Sequence, residues 1–171
     1  MSTGRIVARA PAPADTQRLG AALARVLRPG DTVLLGGGLG VGKTTFTQGL
    51  ARALGVAGPV TSPTFVLVHS YPTRAGWDLL HADVWRLEQL QEVVDLALPE
   101  LVEDGAAAVV EWGEVAAPAL APDCLHVAID FAPGPPSQPA AGAAGPRLLV
   151  FSPLGPSWRP RMQALSEAVA A

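Results

Sequence analysis

Four side chains carry types and spacing that could do chemistry together: Lys43, Thr44, Asp83 and Glu111. The first two close the run Gly37-Gly38-Leu39-Gly40-Val41-Gly42-Lys43-Thr44-Thr45, which fits G-x-x-x-x-G-K-[ST], the phosphate-binding P-loop. Glycines let backbone turn tightly and come close to an anion. The N–H groups at the following helix start then face phosphate oxygens, helped by the helix dipole. In that reading Leu39, Gly40, Val41, Gly42, Lys43, Thr44 and Thr45 cradle the phosphates. Lys43 reaches the β- and γ-phosphates and the Thr44 hydroxyl holds Mg²⁺. The alternative is a glycine-rich turn that only caps a helix.

The elements that must position this loop are legible around it. Asp31–Leu35 reads as a short buried strand and Phe46–Leu54 as a helix that Gly55 ends. Lys43 is the only lysine, against eleven arginines. A compact ammonium suits a phosphate cradle, whereas arginine serves elsewhere. Ala106–Val110 is a small apolar strand that runs into Glu111-Trp112, an acid at a strand's C-terminal end beside the loop, where Mg²⁺ would sit.

Composition excludes several classes. A length of 171 residues fits one domain with a real core. A formal charge of −3 and scattered arginines argue against a broad nucleic-acid surface. The single cysteine, Cys124, rules out an internal disulfide framework and reads as a core residue. No run is long and apolar enough for a membrane span or a signal peptide, so the expected location is the cytoplasm.

In chain order, Arg5–Arg9 is expected as a strand, and Asp15 as the N-cap of a helix that runs to about Leu27. Thr64–Tyr71 and Trp77–Val84 read as strands joined antiparallel across the turn Pro72–Gly76. Glu88–Leu96 and a segment starting at Pro99 read as helices. Leu125–Phe131 and Arg147–Phe151 are further strands, and a C-terminal helix starts near Pro160. Residues 133–146, rich in Pro, Gly and Ala, read as a mobile surface loop.

Four blocks together resemble the TsaE family, the small bacterial ATPases of tRNA threonylcarbamoyladenosine formation. They are Gly40-Val41-Gly42-Lys43-Thr44-Thr45-Phe46, Ser62-Pro63-Thr64-Phe65, His81-x-Asp83-x-Trp85-Arg86-Leu87 and Val110-Glu111-Trp112. With the element order, the resemblance implies an α/β, P-loop NTPase-like domain over 1–171. Its sheet would be mixed and mostly parallel, flanked by helices, with antiparallel strands in the second half. It implies ATP/ADP and Mg²⁺ as ligands, with ATP rather than GTP resting on the resemblance alone. The implied partners are a threonylcarbamoyl transferase and that enzyme's inactive-paralogue subunit; the ATPase acts on them without transferring the group itself. By position, Thr44 and Glu111 are the implied metal ligands and Asp83 the acid most needed for hydrolysis. Thr64 falls in a switch-like loop, and Trp112 beside the nucleotide.

The chain departs from the family pattern at Gly38, where an acid is usual, and at Trp85, where Tyr is usual. Leu96-Ala97-Leu98 stands where a glycine is usual. Lys43, Asp83 and Glu111 are the candidate catalytic set, and the two acids could exchange roles. Asp83 could instead pair with Arg86, which could also serve as an internal arginine finger. His81 reads as a hydrogen-bonded histidine rather than a base. A small metabolite kinase and a nucleotide switch with little turnover remain as other readings of the same loop.

Overall fold

The computed structural model describes residues 4–63, 67–84, 92, 95–112, 121–133 and 145–171. The elements are β1 (Ile6–Ala10), α1 (Pro13–Ala24), β2 (Thr32–Gly36), α2 (Lys43–Ala53), β3 (Val68–Pro72) and β4 (Asp78–Asp83). They continue with α3 (Leu98–Glu103), β5 (Ala107–Glu111), β6 (Cys124–Phe131), β7 (Arg147–Leu154), a 3₁₀ turn (Arg159–Arg161) and α4 (Met162–Ala170).

All seven strands form one sheet in the order β1-β7-β6-β2-β5-β4-β3. The four central strands, β6-β2-β5-β4, pair in parallel. The antiparallel pairings lie outside them: β3 on β4 at one edge, β6 on β7 and β7 on β1 at the other. The expected mixed α/β sheet is therefore present, with its parallel character confined to the centre. β2 and β5 are buried along their whole length, which accounts for their unbroken apolar runs. Alternate residues feed two cores. Val33, Leu35 and Val109 join Leu19, Phe46, Leu50 and Trp158 on the face carrying α1, α2 and α4. Leu34, Ala108 and Val110 join Leu80, Leu98 and Val102 on the other.

Helices α1 and α2 cross closely because each gives up a side chain at the contact. A Cβ on Gly20 would stand 2.1 Å from the Phe46 carbonyl oxygen, and one on Gly49 would stand 2.0 Å from that of Gln17. That contact seats α2 on the sheet. Its far end closes as the sequence requires: Gly55 takes φ +77°, Val56 N–H donates to Ala51 O at 3.0 Å and Gly55 N–H to Arg52 O at 3.1 Å.

Several boundaries differ from expectation. Helix α1 starts at Pro13, so Asp15 is not its N-cap but its third residue, where its carboxylate accepts the Ala12 N–H at 3.0 Å. Proline at the first helical position needs no hydrogen-bond partner, which moves the start upstream. Helix α2 begins at Lys43, one turn before Phe46, since the loop itself makes its first turn. Strand β7 runs on to Leu154 through Pro153, because β1 pairs with it only as far as Phe151 and asks no N–H of the proline. The C-terminal helix starts at Met162 behind the 3₁₀ turn. Ala97, where a glycine was missed, has φ +52°, the conformation that glycine takes without strain. Most of the helix expected over Glu88–Leu96 lies outside the described residues, as do Thr64, Phe65, Trp85, Arg86 and residues 134–144. No helix among the described residues is long and apolar enough to cross a membrane.

The C-terminal segment is anchored by a buried ion pair. Arg161 donates to both carboxylate oxygens of Asp31, at 2.7 and 2.8 Å, and its guanidinium lies 3.9 Å from the Trp158 ring centroid. Removing one partner leaves the other charge buried and alone. Arg161→Met should lower the unfolding free energy by about 3–5 kcal/mol in urea titrations. Adding Asp31→Leu should recover much of that loss; no recovery would show that Arg161 acts through packing alone.

Cys124 is fully buried at the start of β6. Burial, and secondarily the Asp123 carboxylate, push its thiol up to about 11 from an ordinary 9.0. Between those values the unfolded chain loses a proton that the folded chain keeps, so stability falls as pH rises through the window. A thiol-reactive dye should leave the folded protein unlabelled at pH 8 and label it fully in denaturant.

Candidate functional site

The C-terminal ends of β2, β4 and β5 meet at one edge of the sheet. Glu111 pairs in register with Leu35 on one side and Asp83 on the other. Asp83 and His81 are two residues apart on β4, so both side chains leave the sheet on the face that Glu111 and α2 share. Beyond Gly36 the chain turns through the loop. Gly37 is required where it stands: it takes φ +127°, and a Cβ there would lie 2.1 Å from the Ile129 carbonyl oxygen.

The loop and these strand ends enclose a cleft of about 400 Å³. Leu39, Gly40, Gly42, Lys43, Thr44, Thr45, Asp83, Glu111 and Trp112 line it, with Ser62. The fold thus brings the candidate site residues to one place, with Val41 the exception. Its side chain is 2% exposed, packed under the loop. Leu39, at the tip, is 85% exposed. Gly38 is spacious: a Cβ there would meet only Val41 Cγ1, at 3.9 Å. Sterics therefore do not exclude the acid usual at this position in the family.

Lys43 is buried, and its Nζ donates to the carbonyls of Gly37 at 2.9 Å and Gly38 at 2.8 Å. The same ammonium lies 3.7 Å from the Trp112 ring centroid. Trp112 holds φ +62°, a conformation unusual for a bulky residue, and its N–H donates to Leu35 O at 2.9 Å. Strain of this kind collects at functional sites.

Glu111 is 4% exposed, and one of its oxygens, Oε1, accepts two hydrogen bonds. Thr44 Oγ1 donates at 2.9 Å and His81 Nε2 at 2.7 Å. His81 is fully buried, and its Nδ1 has no hydrogen-bond partner among the described residues. A lone pair is cheaper to leave unpaired than an N–H, so the proton belongs on Nε2. His81 is thus spent on the acid and buried among the described residues, in agreement with its reading as a packed or hydrogen-bonded histidine. The donors gathered here, a hydroxyl and two carboxylates, are the hard oxygen ligands that Mg²⁺ takes. Among the described residues lining the cleft, Lys43 is the only cation, against Asp83 and Glu111. A polyphosphate would need further positive charge there, and a divalent ion on Thr44 and Glu111 fits that need.

A second hollow of about 120 Å³ adjoins the loop on its other side, lined by Ala12, Pro13, Thr16, Gly42, Thr45 and Arg147 among others. None of Ala12, Pro13, Thr16 or Arg147 stood out in the sequence. Pairing of Ala10 with Arg147 across β1 and β7 brings them there, and no local pattern announces it. The anticipated contact between Asp83 and Arg86 lies outside the described residues.

A glycine loop between a buried parallel strand and a helix, facing acids on two neighbouring strands, defines a P-loop nucleotide-binding protein of the α/β class. A family model described as "Threonylcarbamoyl adenosine biosynthesis protein TsaE" matches residues 10–134, and the chain belongs to that family. Proteins called tRNA threonylcarbamoyladenosine biosynthesis protein TsaE are similar to it. The one from Streptomyces coelicolor is 48% identical over 120 residues, covering 69% of this chain and 80% of the relative. That from Mycobacterium bovis is 43% identical over 136 residues, covering 75% and 80%. That from Bacillus subtilis is 37% identical over 117 residues, covering 68% and 72%. The crystal structure of Bacillus subtilis YdiB has a similar fold, with a TM-score of 0.71 at 27% identity, covering 97% of this chain and 94% of that one.

Trp112 supplies a direct optical test of the cleft. Phosphate that draws Lys43 off the ring should change tryptophan emission. Titration with ADP should give a saturable change that Trp112→Phe removes. An unaltered change in that variant would assign the signal to another tryptophan.

Proposed function

We propose that this chain binds Mg-ATP in the cleft and hydrolyses it slowly, in the service of threonylcarbamoyl modification of adenosine in tRNA. It acts on a transferase and that enzyme's inactive-paralogue subunit, and does not itself transfer the group. The observation that carries the reading is the meeting of Thr44 and Glu111 at 2.9 Å, with Asp83 in register beside Glu111 and Lys43 across the loop.

The chemistry is in-line attack of water on the γ-phosphorus, which needs positioning and neutralised charge more than covalent help. Lys43 and the loop N–H groups bind the β- and γ-phosphates and stabilise charge that develops on their oxygens. Thr44 Oγ1 and Glu111 would hold Mg²⁺, which would supply charge to neutralise the phosphates. His81 keeps Glu111 turned toward Thr44. Asp83, 6% exposed and lining the cleft, is the acid that orients the attacking water.

Two arginines speak against a kinase. Such enzymes close arginine-bearing lids on the phosphates. Of the three arginines after the Pro/Ala-rich segment, Arg161 is committed to Asp31 and Arg147 to carbonyls on the outer side of the loop, while Arg159 is exposed on the 3₁₀ turn. A nucleotide switch with little turnover would use the same cleft and differ only in rate.

Mg²⁺-dependent phosphate release from ATP tests the proposal. The chain alone should release phosphate slowly, and the transferase pair should stimulate it. Lys43→Ala and Asp83→Ala should each lower release at least about a hundredfold, the scale for losing one transition-state group. Bound nucleotide without release under any condition would leave the switch. Release indifferent to the pair would sink the role in tRNA modification.

A further inference from the structure

Arg147 opens β7, thirteen residues beyond the end of the family match at residue 134. Its guanidinium is buried and faces the loop from behind. Nε donates to the Val41 carbonyl at 2.7 Å, one terminal nitrogen to the Gly40 carbonyl at 3.3 Å and the other to the Gly145 carbonyl. The guanidinium carbon lies 4.3 Å from the Phe131 ring centroid. β7 is held on both sides at this residue, by Ala10 of β1 and Phe131 of β6.

The two carbonyls matter because of what they are bonded to. A trans peptide is planar, and its N–H points opposite to its C=O. The Gly40 carbonyl shares a plane with the Val41 N–H, and the Val41 carbonyl with the Gly42 N–H. Holding both carbonyls on the Arg147 side therefore turns both N–H groups away from Arg147, on the loop whose Gly40 and Gly42 line the main cleft. These are the planes most in need of holding. Gly40 has φ +74° and Gly42 has φ +110°, so glycines without side-chain restraint flank Val41 on either side. Arginine suits the task, because a rigid fork can bridge two carbonyls whereas an ammonium on a flexible stem acts as a point charge.

We propose that Arg147 is a positioning residue for phosphate binding, which orients the P-loop N–H groups of Val41 and Gly42 by restraining the carbonyls of Gly40 and Val41. The proposal rests on the reading of the cleft as a nucleotide site. It also gives the antiparallel edge of the sheet a share in that site, although no residue of β7 lines the main cleft.

The test uses Arg147→Lys, which keeps the charge but not the fork, and Arg147→Gln, which keeps neither. ADP affinity is measured by calorimetry, and amide hydrogen exchange is followed on the nucleotide-free chain. Both variants should bind ADP at least about tenfold more weakly. Exchange at Val41 and Gly42 should speed up, with β2 and β5 protected as before. A purely structural role would lower the melting temperature and leave the affinity of the folded protein intact. ADP binding at normal strength by Arg147→Lys would overturn the proposal, since charge alone would then suffice. So would unchanged exchange at Val41 and Gly42 in both variants. Failure of the unaltered chain to bind ADP would overturn the nucleotide reading and this role together, whereas the first two results overturn this role alone.

Discussion

One carboxylate oxygen holds the site together. Oε1 of Glu111 accepts from Thr44 on α2 and from His81 on β4, while Glu111 itself ends β5. Three elements from separate parts of the chain thus meet at a single buried acceptor. Such a junction tolerates little error, because a buried carboxylate that lost its donors would have to be rehydrated or neutralised. The arrangement also keeps Thr44 and Glu111 near each other before any ligand arrives. Preorganisation of this sort avoids the cost of gathering the groups at the moment of binding.

That junction depends on packing further away. Thr44 is where it is because α2 lies against the sheet, and α2 lies there because Gly20 and Gly49 let α1 approach to backbone contact. Glu111 and Asp83 stand side by side because β4 and β5 are parallel and in register. Parallel pairing brings the C-terminal ends of successive strands to the same edge, which is where ligands bind in open α/β sheets. The antiparallel strands do different work. They close the two sides of the sheet, and on one side they deliver Arg147 to the outer face of the loop.

The loop sits between two opposed restraints. From inside, the Lys43 ammonium draws on the carbonyls of Gly37 and Gly38. From outside, Arg147 draws on those of Gly40 and Val41. In the proposed function lysine has to leave these partners for a phosphate, and its flexible stem allows that. Arginine need not move, and stacking on Phe131 keeps its plane in place. The choice of cation at each position matches what each is asked to do.

Much of this was legible in the residue order. The P-loop, the acid that ends an apolar strand and the hairpin across Pro72–Gly76 are local patterns, since glycine conformation, strand burial and turn chemistry act over a few residues. The family blocks were legible for the same reason, because each is a short run of fixed spacing. Element ends were read less well at Asp15 and Pro153, where a neighbouring strand or a proline's missing N–H decides the outcome. What only the tertiary structure decided are the contacts between residues far apart in the chain. His81 with Glu111, Arg161 with Asp31 and Arg147 with the loop are separated by 30, 130 and 106 residues. No periodicity or motif encodes such pairs, since they exist only once the sheet order and the helix crossing have set which side chains share a space.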